Sequence, residues 1–310
     1  MRPVSASAPP ARFIGRPLCA AIGLGLLFAV AACAEKKEEY VEKPVEELYN
    51  DAMDLMDKDE YQRAAKQFDE VDRQHPYSAW ATKAQLMAAY ALYARNKYDD
   101  ALPALDRFIQ LHPGNKDAGY AYYLKALCYY EQITDVGRDQ KMTEQALKSL
   151  QEVVDRFPSS VYARDSRLKI DLARDHMGGK EMAIGRYYLE TKQYLAALNR
   201  FKLVTEQYQT TSHVPEALHR MVEIYTILGL DAEAQRTAAV LGHNFPGSDW
   251  YQDSYAIAAH GDFDPSKRRQ DLSWYNFWSD RPPAKAPPPP TATDDPVKTS
   301  GGWFNWAKFW

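Results

Sequence analysis

One alanine and one proline, repeated five times at fixed offsets, constrain this chain more than any other feature. Ala64, Ala101, Ala146, Ala197 and Ala234 are followed four residues on by Phe68, Leu105, Leu150, Phe201 and Ala238. Seven residues on come Val71, Phe108, Val153, Val204 and Leu241. Twelve past each alanine stand Pro76, Pro113, Pro158, Gln209 and Pro246, and two further lie Ser78, Asn115, Ser160, Thr211 and Ser248. Apolar residues at i, i+4 and i+7 form one stripe of an α-helix, with alanine where two helices approach closely. Proline has no N–H and cannot continue that helix. Ser, Asn and Thr are N-cap residues whose oxygens accept from the orphan amides of the next helix. The unit is therefore helix, turn, helix, stop and cap. Such a unit cannot bury its stripe alone, so neighbours stack into a continuous core.

The alanine-to-proline spacing resembles the second helix of the tetratricopeptide repeat, which implies an all-α, tetratricopeptide-like solenoid of five helix pairs. The expected first helices are less uniform: nine residues before each alanine lie Leu55, Leu92, Gly137, Tyr188 and Tyr225. The residue seven past the alanine is bulky where that repeat carries a small one. Successive alanines are 37, 45, 51 and 37 residues apart, against a usual period of about 34. The surplus predicts a longer loop over the polar stretch 132–141 and a longer helix after it. These divide an N-terminal portion, 45–135, from a C-terminal portion, 136–262.

The first 32 residues read as a targeting segment. They carry Arg2, Arg12 and Arg16 without an acid, then an apolar run from Leu18 to Ala32. About 15 residues is short for a helix that must cross roughly 30 Å of hydrocarbon. The run ends in Val30-Ala31-Ala32-Cys33, which resembles a bacterial lipobox with Cys33 as the acylated residue. An ordinary cleavage site ahead of a cysteine is the alternative. Several acyl chains on Cys33, at about 0.8 kcal/mol per buried CH₂, would anchor the protein through a tether, 33–44. Ala34 follows Cys33, which in bacterial lipoproteins resembles an outer-membrane address. Removing three arginines takes the formal charge from −4 to −7. A mildly acidic body without a basic stripe is not a nucleic-acid binder.

Beyond about residue 264 the repeat stops. The stretch 264–302 is rich in Pro, Lys, Asp, Ser and Thr and reads as an extended linker. It contains Trp274-Tyr275-Asn276-Phe277-Trp278, and Trp303-Phe304-Asn305-Trp306-Ala307-Lys308-Phe309-Trp310 follows it. Five of the seven tryptophans lie in this tail, 263–310. Exposed indoles gain from docking, and a membrane interface or an assembly partner would serve.

Nothing in the sequence asks for catalysis. His75 and His112 occupy the position before the repeat proline, and the remaining histidines form no close metal-ligand pair. Gly178-Gly179-Lys180 lacks the spaced glycine and the following Ser/Thr of a phosphate loop, and reads as a turn or break in the helical array. There is no GxSxG. Cys128, in an apolar helical context, reads as a buried inert thiol. The expectation is a non-enzyme with no metal and no cofactor beyond the lipid on Cys33.

Two segments, Ala183-Ile184-Gly185-Arg186-Tyr187-Tyr188 and Tyr194-Leu195-Ala196-Ala197-Leu198-Asn199-Arg200, resemble the BamD family of outer-membrane assembly lipoproteins, also called ComL or YfiO. Asp106-Arg107-Phe108-Ile109-Gln110-Leu111-His112-Pro113 and Val136-Gly137-Arg138-Asp139-Gln140 fit the same family, and the resemblance covers roughly 33–262. It implies an adaptor of the β-barrel assembly (BAM) machine, lipid-anchored at the periplasmic face of the outer membrane. Its implied partners are a BamA-like POTRA-barrel protein, other BAM lipoproteins and unfolded outer-membrane protein precursors. Arg200 matches the family's docking arginine, with Asn199 beside it and Arg186, Tyr187 and Tyr188 on the paired helix. Residue type alone favours reading Arg200 as a solvated charge on an outer helix face, and the resemblance is what brings docking level with that. Tyr90, Tyr93, Tyr120, Tyr122 and Tyr123, on first helices, are candidates for a groove that receives the precursor's aromatic targeting strand. The other reading makes most of them repeat core, and Tyr122 and Tyr123, 100° apart, cannot both face inward.

The rival reading is a repeat lipoprotein that scaffolds another envelope machine, as a secretin pilotin or a coordinator of peptidoglycan enzymes and cell division. The middle insertion with its Arg-Tyr-Tyr helix discriminates against it, since such adaptors would not need one.

Overall fold

The computed structural model describes residues 42–260. Eleven α-helices and no strand occur among the described residues: α1 Val45–Asp57, α2 Tyr61–Gln74, α3 Ala79–Ala94, α4 Tyr98–Leu111, α5 Ala118–Tyr130, α6 Lys141–Arg156, α7 Val161–Glu190, α8 Tyr194–Gln207, α9 Val214–Ile227, α10 Asp231–Asn244 and α11 Asp249–His260. The first ten form five antiparallel pairs, each packed on the next, and α11 closes on α9 and α10. Cys33, the signal segment and the tail 263–310 lie outside the described residues.

The repeat positions have a common backbone origin. At the foot of every second helix the amide of the residue before the proline position donates to the carbonyl seven past the alanine: His75 to Val71, His112 to Phe108, Phe157 to Val153, Tyr208 to Val204 and Phe245 to Leu241. Three residues on, the amides of Ser78, Asn115, Ser160, Thr211 and Ser248 donate back to those same five residues. The fourth unit, with Gln209 for proline, makes the same turn. Proline therefore reinforces this stop without being required for it.

Within the pairs a second regularity appears. Asp59, Asn96, Lys192 and Gly229 have φ of 58°, 62°, 60° and 70°, and each stands five residues before a repeat alanine. The next amide donates to the carbonyl nine before that alanine: Glu60 to Leu55, Lys97 to Leu92, Gln193 to Tyr188 and Leu230 to Tyr225. With the shorter bond from the left-handed residue itself, this is the Schellman closure of a helix C-terminus. The third pair lacks it, because a long loop, expected over 132–141 and found at 131–140, replaces the turn.

Three of the five expected caps form as side-chain caps, Ser78 Oγ accepting from Ala81, Ser160 Oγ from Ala163 and Ser248 Oγ from Trp250. Asn115 instead accepts from Asp117, and α5 begins after that turn. Thr211 Oγ1 donates to the Tyr208 carbonyl, so His213 precedes α9.

The stripe of second-helix residues is fully buried, with Ala64, Phe68, Val71, Leu105, Leu150, Phe201 and Val204 at 0–1% exposure. Three apolar clusters follow along the chain: one around α1–α3, one from α3 to the first half of α7, and one from the second half of α7 to α11. The 30-residue α7 joins the last two, giving Ile170 and Ala173 to one and Met182 and Leu189 to the other. Gly178 and Gly179 lie inside this continuous helix, so the expected break there is corrected. A Cβ on Gly178 would stand 3.3 Å from Thr211 Oγ1 and 3.4 Å from the His213 ring. The glycine admits the α8–α9 turn against α7 rather than ending the helix.

Candidate partner-binding surfaces

The five docking candidates lie at the α7–α8 hairpin, but they do not converge on one ligand position. Gly185 lets the hairpin close, because a Cβ there would stand 2.5 Å from the Phe201 ring. Arg200 on α8 donates through Nη1 to Glu181 Oε2 of α7 at 2.9 Å, with its side chain 40% exposed. Asn199 is exposed and Tyr187 is 61% exposed, while Tyr188 packs partly into the third cluster. Arg186 turns the other way, to α9.

There Arg186 forms a two-pronged ion pair with Glu216, Nε to Oε1 at 2.9 Å and Nη2 to Oε2. The pair is 18% and 5% exposed. Arg220, one turn on from Glu216, approaches Glu216 Oε1 at 3.3 Å and Glu223 Oε2 at 3.0 Å. His219 Nε2 is 3.6 Å from Glu223 Oε1, and its Nδ1 is 2.8 Å from Ser254 Oγ on α11. The Arg220 guanidinium lies over the Trp250 ring at 5.2 Å. Two arginines and two glutamates thus neutralise each other inside the fold and tie α7, α9 and α11 together. Removing one member of such a network is costly, because it strands its partner's charge away from water. The guanidinium of Arg186, expected to face a partner protein, is engaged within the chain by Glu216.

The tyrosine candidates separate in the same way. Tyr93, Tyr120 and Tyr123 are core residues, 4%, 0% and 2% exposed, which corrects their assignment to an open groove. Tyr123 donates to Asp165 at 2.5 Å, and burial, then that bond, push its phenol pKa well up. Tyr122 turns to the other side, its ring tilted against Phe157 at 5.6 Å and lying beneath the Arg156 guanidinium at 5.0 Å. Tyr90 is half-buried between the first two clusters.

Sequence reasoning missed a ring ladder built on the repeat itself. Two residues after three of the cap positions stand Trp80, Tyr162 and Trp250, and each meets a ring of the preceding first helix. Trp80 lies 4.9 Å from Tyr49, Tyr162 5.6 Å from Tyr120, and Trp250 5.2 Å from His219. All three are only half-buried. Lys83 sits over Trp80 at 5.2 Å, its ammonium pKa lowered by burial and by neighbouring Lys116. Counting two residues on from the caps would have found these positions.

The loop 131–140 is held down on α7. Lys180 Nζ donates to the carbonyls of Gly137 and Arg138 at 3.1 and 3.0 Å, and His176 Nδ1 is 3.0 Å from Gln140 Oε1. An open cleft of about 260 Å³ between this loop, α7 and Tyr208 includes Arg138, Glu144 and Glu181. Mixed charges and wide exposure there give no enclosed reaction chamber. Burial pushes the Cys128 thiol up to about 12, the reverse of what a nucleophile needs. Among the described residues no group of His, Cys, Asp and Glu is placed to hold a metal ion, and no helix is long and apolar enough to cross a membrane.

Comparison with known proteins places this geometry. A family model described as YfiO, outer membrane lipoprotein, matches residues 41–241. The chain is 52% identical over 249 residues to the outer membrane protein assembly factor BamD of Caulobacter vibrioides, covering 79% of this chain and 82% of that one. It is 46% identical to BamD of Rickettsia prowazekii, covering 77% and 95% of the two chains. With BamD of Neisseria meningitidis serogroup B the identity is 32%, over 83% and 97%.

Proposed function

Because the chain belongs to the YfiO family of outer membrane lipoproteins, we propose that it serves as an assembly factor for outer-membrane β-barrel proteins, a non-catalytic adaptor of the BAM machine. The observation that carries this reading is 52% identity to one such factor across 79% of the chain. The helix-pair body supports it, since stacked pairs present long faces to extended or folded partners. Acylation of Cys33 would hold the protein at the periplasmic face of the outer membrane.

The proposed docking surface for a POTRA-bearing barrel protein is the exposed side of the α7–α8 hairpin, with Arg200, Asn199, Tyr187 and Tyr188. Arg200 is suited to it because its partner Glu181 belongs to the same chain and its own side chain is still 40% exposed. A carboxylate from the partner can therefore join or replace Glu181 in a planar, two-pronged pair. Arg186 supports this surface from behind by fixing α7 to α9. Unfolded precursors are proposed to meet the half-buried rings Trp80 and Tyr90 of the N-terminal pairs, which offer aromatic contact at low entropic cost. The other BAM lipoproteins complete the partner set.

The test is purification of the tagged chain from its own membranes in mild detergent, with mass spectrometry of what accompanies it. The expected result is a barrel protein with POTRA domains, recovered with wild type and lost with Arg200→Glu. A pilus secretin or a peptidoglycan enzyme in its place would overturn the reading.

A further inference from the structure

The unusual length of α7 leaves an apolar face that no helix of the described body covers. In the regular pairs a first helix is flanked by the first helices before and after it. In α7 the following helices pack on the second half, where Gly185 meets Phe201 and Arg186 meets Glu216. The first half keeps its neighbour before, α5, through Tyr120 and Tyr123 against Tyr162. On its far side it carries Val161, Leu168 and Leu172, which are 69%, 59% and 37% exposed. At about 100° per residue these three, spaced by seven and four, lie within about 40° of one another. The buried residues Ala163, Ser166 and Ile170 lie opposite. Three large aliphatics aligned on one open stripe differ from the singly scattered apolar residues of an ordinary surface.

Charge beside the stripe is mixed, with two arginines against one acid. Asp165 is engaged by Tyr123 and Lys169, and Asp175 by Ser212 and His213. The side chains of Arg164, Asp171 and Arg174 are exposed and take no hydrogen bond or ion pair among the described residues. An apolar stripe beside unengaged guanidiniums suits aromatic rings, which bury area on the aliphatics and present their faces to the cations. The chain supplies such a partner: 303–310 holds Trp303, Phe304, Trp306, Phe309 and Trp310. The stretch 261–302 that links it to α11 would span about 35 Å as a coil and about 130 Å extended, so reach does not limit it. A tether of that kind gives an effective concentration on the order of millimolar, enough for a face of modest area.

We propose that 303–310 packs intramolecularly on the Val161, Leu168 and Leu172 face of α7, filling the place that a following helix would hold in a regular repeat. The inference does not depend on the assembly reading, since it concerns one segment of this chain and one helix of its body.

A photocrosslinking residue placed at position 168 of the full-length chain, purified in mild detergent, tests it together with hydrogen exchange. The expected result is a crosslink to 303–310 of the same molecule, unchanged on tenfold dilution. Amides of 161–174 should exchange at least several-fold more slowly in the full chain than in one ending at 262. Leu168→Asp with Leu172→Asp should abolish that difference while exchange in α9 stays the same. Equal exchange in the full and shortened chains would overturn the proposal. So would a crosslink to a second chain that fades on dilution, or protection that is lost when anionic phospholipid vesicles are added and the tail tryptophans blue-shift.

Discussion

Replacing Arg186 with Met keeps an aliphatic stem of similar length and takes the guanidinium away from Glu216. Breaking a buried ion pair by removing one partner costs about 3–5 kcal/mol. Two features of this pair reduce the figure. Arg186 retains 18% exposure, so water reaches part of the vacated volume. Arg220 Nε stays 3.3 Å from Glu216 Oε1 and still balances part of its charge. A cost of about 2–3 kcal/mol remains, equivalent to roughly 30- to 150-fold at 1.4 kcal/mol per decade. The loss should be local, so native-state hydrogen exchange of α9 and α11 is the assay, with α2–α4 as internal reference. Glu216→Gln alone should also destabilise α9, by leaving Arg186 and Arg220 short of a carboxylate. The double variant should fall short of the sum by about 1–2 kcal/mol, as expected for residues in direct contact. Exchange in α9 that rises less than about threefold, or effects that simply add, would refute the claim that this network holds the C-terminal helices on α7.

Gly185→Ala should cost about 1–3 kcal/mol by thermal or denaturant unfolding, since its Cβ would press on the buried Phe201 ring and outweigh a helix-propensity gain near 1 kcal/mol. Gly178→Ala, with its nearest neighbour at 3.3 Å, should be close to neutral. At Asp175 burial raises the carboxyl pKa, but the His213 ring and the Ser212 amide and hydroxyl outweigh it and hold the group below the ordinary aspartate value. A depressed acid contributes stability above its unfolded pKa and loses it as pH falls through the folded one. Asp175→Asn should therefore flatten the acid limb of the stability curve below about pH 4 and change little between pH 6 and 8. Cys128, its thiol pushed up to about 12 by burial, should resist alkylation at pH 8 in the native chain and react on unfolding. Rapid native labelling would show that α5 is not packed as described.

Much of the fold was legible because the repeat is written in residues with single physical roles. The alanine, the apolar pair and the stop fall at the same offsets whether or not proline is present, since the backbone bonds at Tyr208 repeat those at His75. The left-handed turn residues were hidden because Asp59, Asn96, Lys192 and Gly229 share a conformation but not a residue type. Gly178-Gly179 misled for the converse reason. Glycine usually marks a break in a helix, and here it marks close approach by the neighbouring turn. Surfaces were harder to read than cores. A tyrosine on a first helix is equally suited to core or groove, and only the neighbouring Tyr162 and Asp165 decide that Tyr123 is inside. Arg186 was legible as important but not as internal, because its acid, Glu216, lies thirty residues away on another helix. The stripe Glu216, Arg220, Glu223 on α9 carried a signal: charges at i, i+4 and i+7, where a first helix should have apolar residues.

The central claim is that this helical body assembles outer-membrane barrels without catalysing a reaction. The most direct measurement is depletion of the chain in its own cell, followed by pulse-labelling and separation of folded from unfolded barrel proteins in the outer membrane. Newly made folded barrels should fall several-fold within one or two generations while unfolded precursors accumulate. Wild type should restore assembly and Arg200→Glu should not. Barrel assembly that continues at the normal rate, with pilus secretion or septal wall synthesis failing in its place, would contradict it.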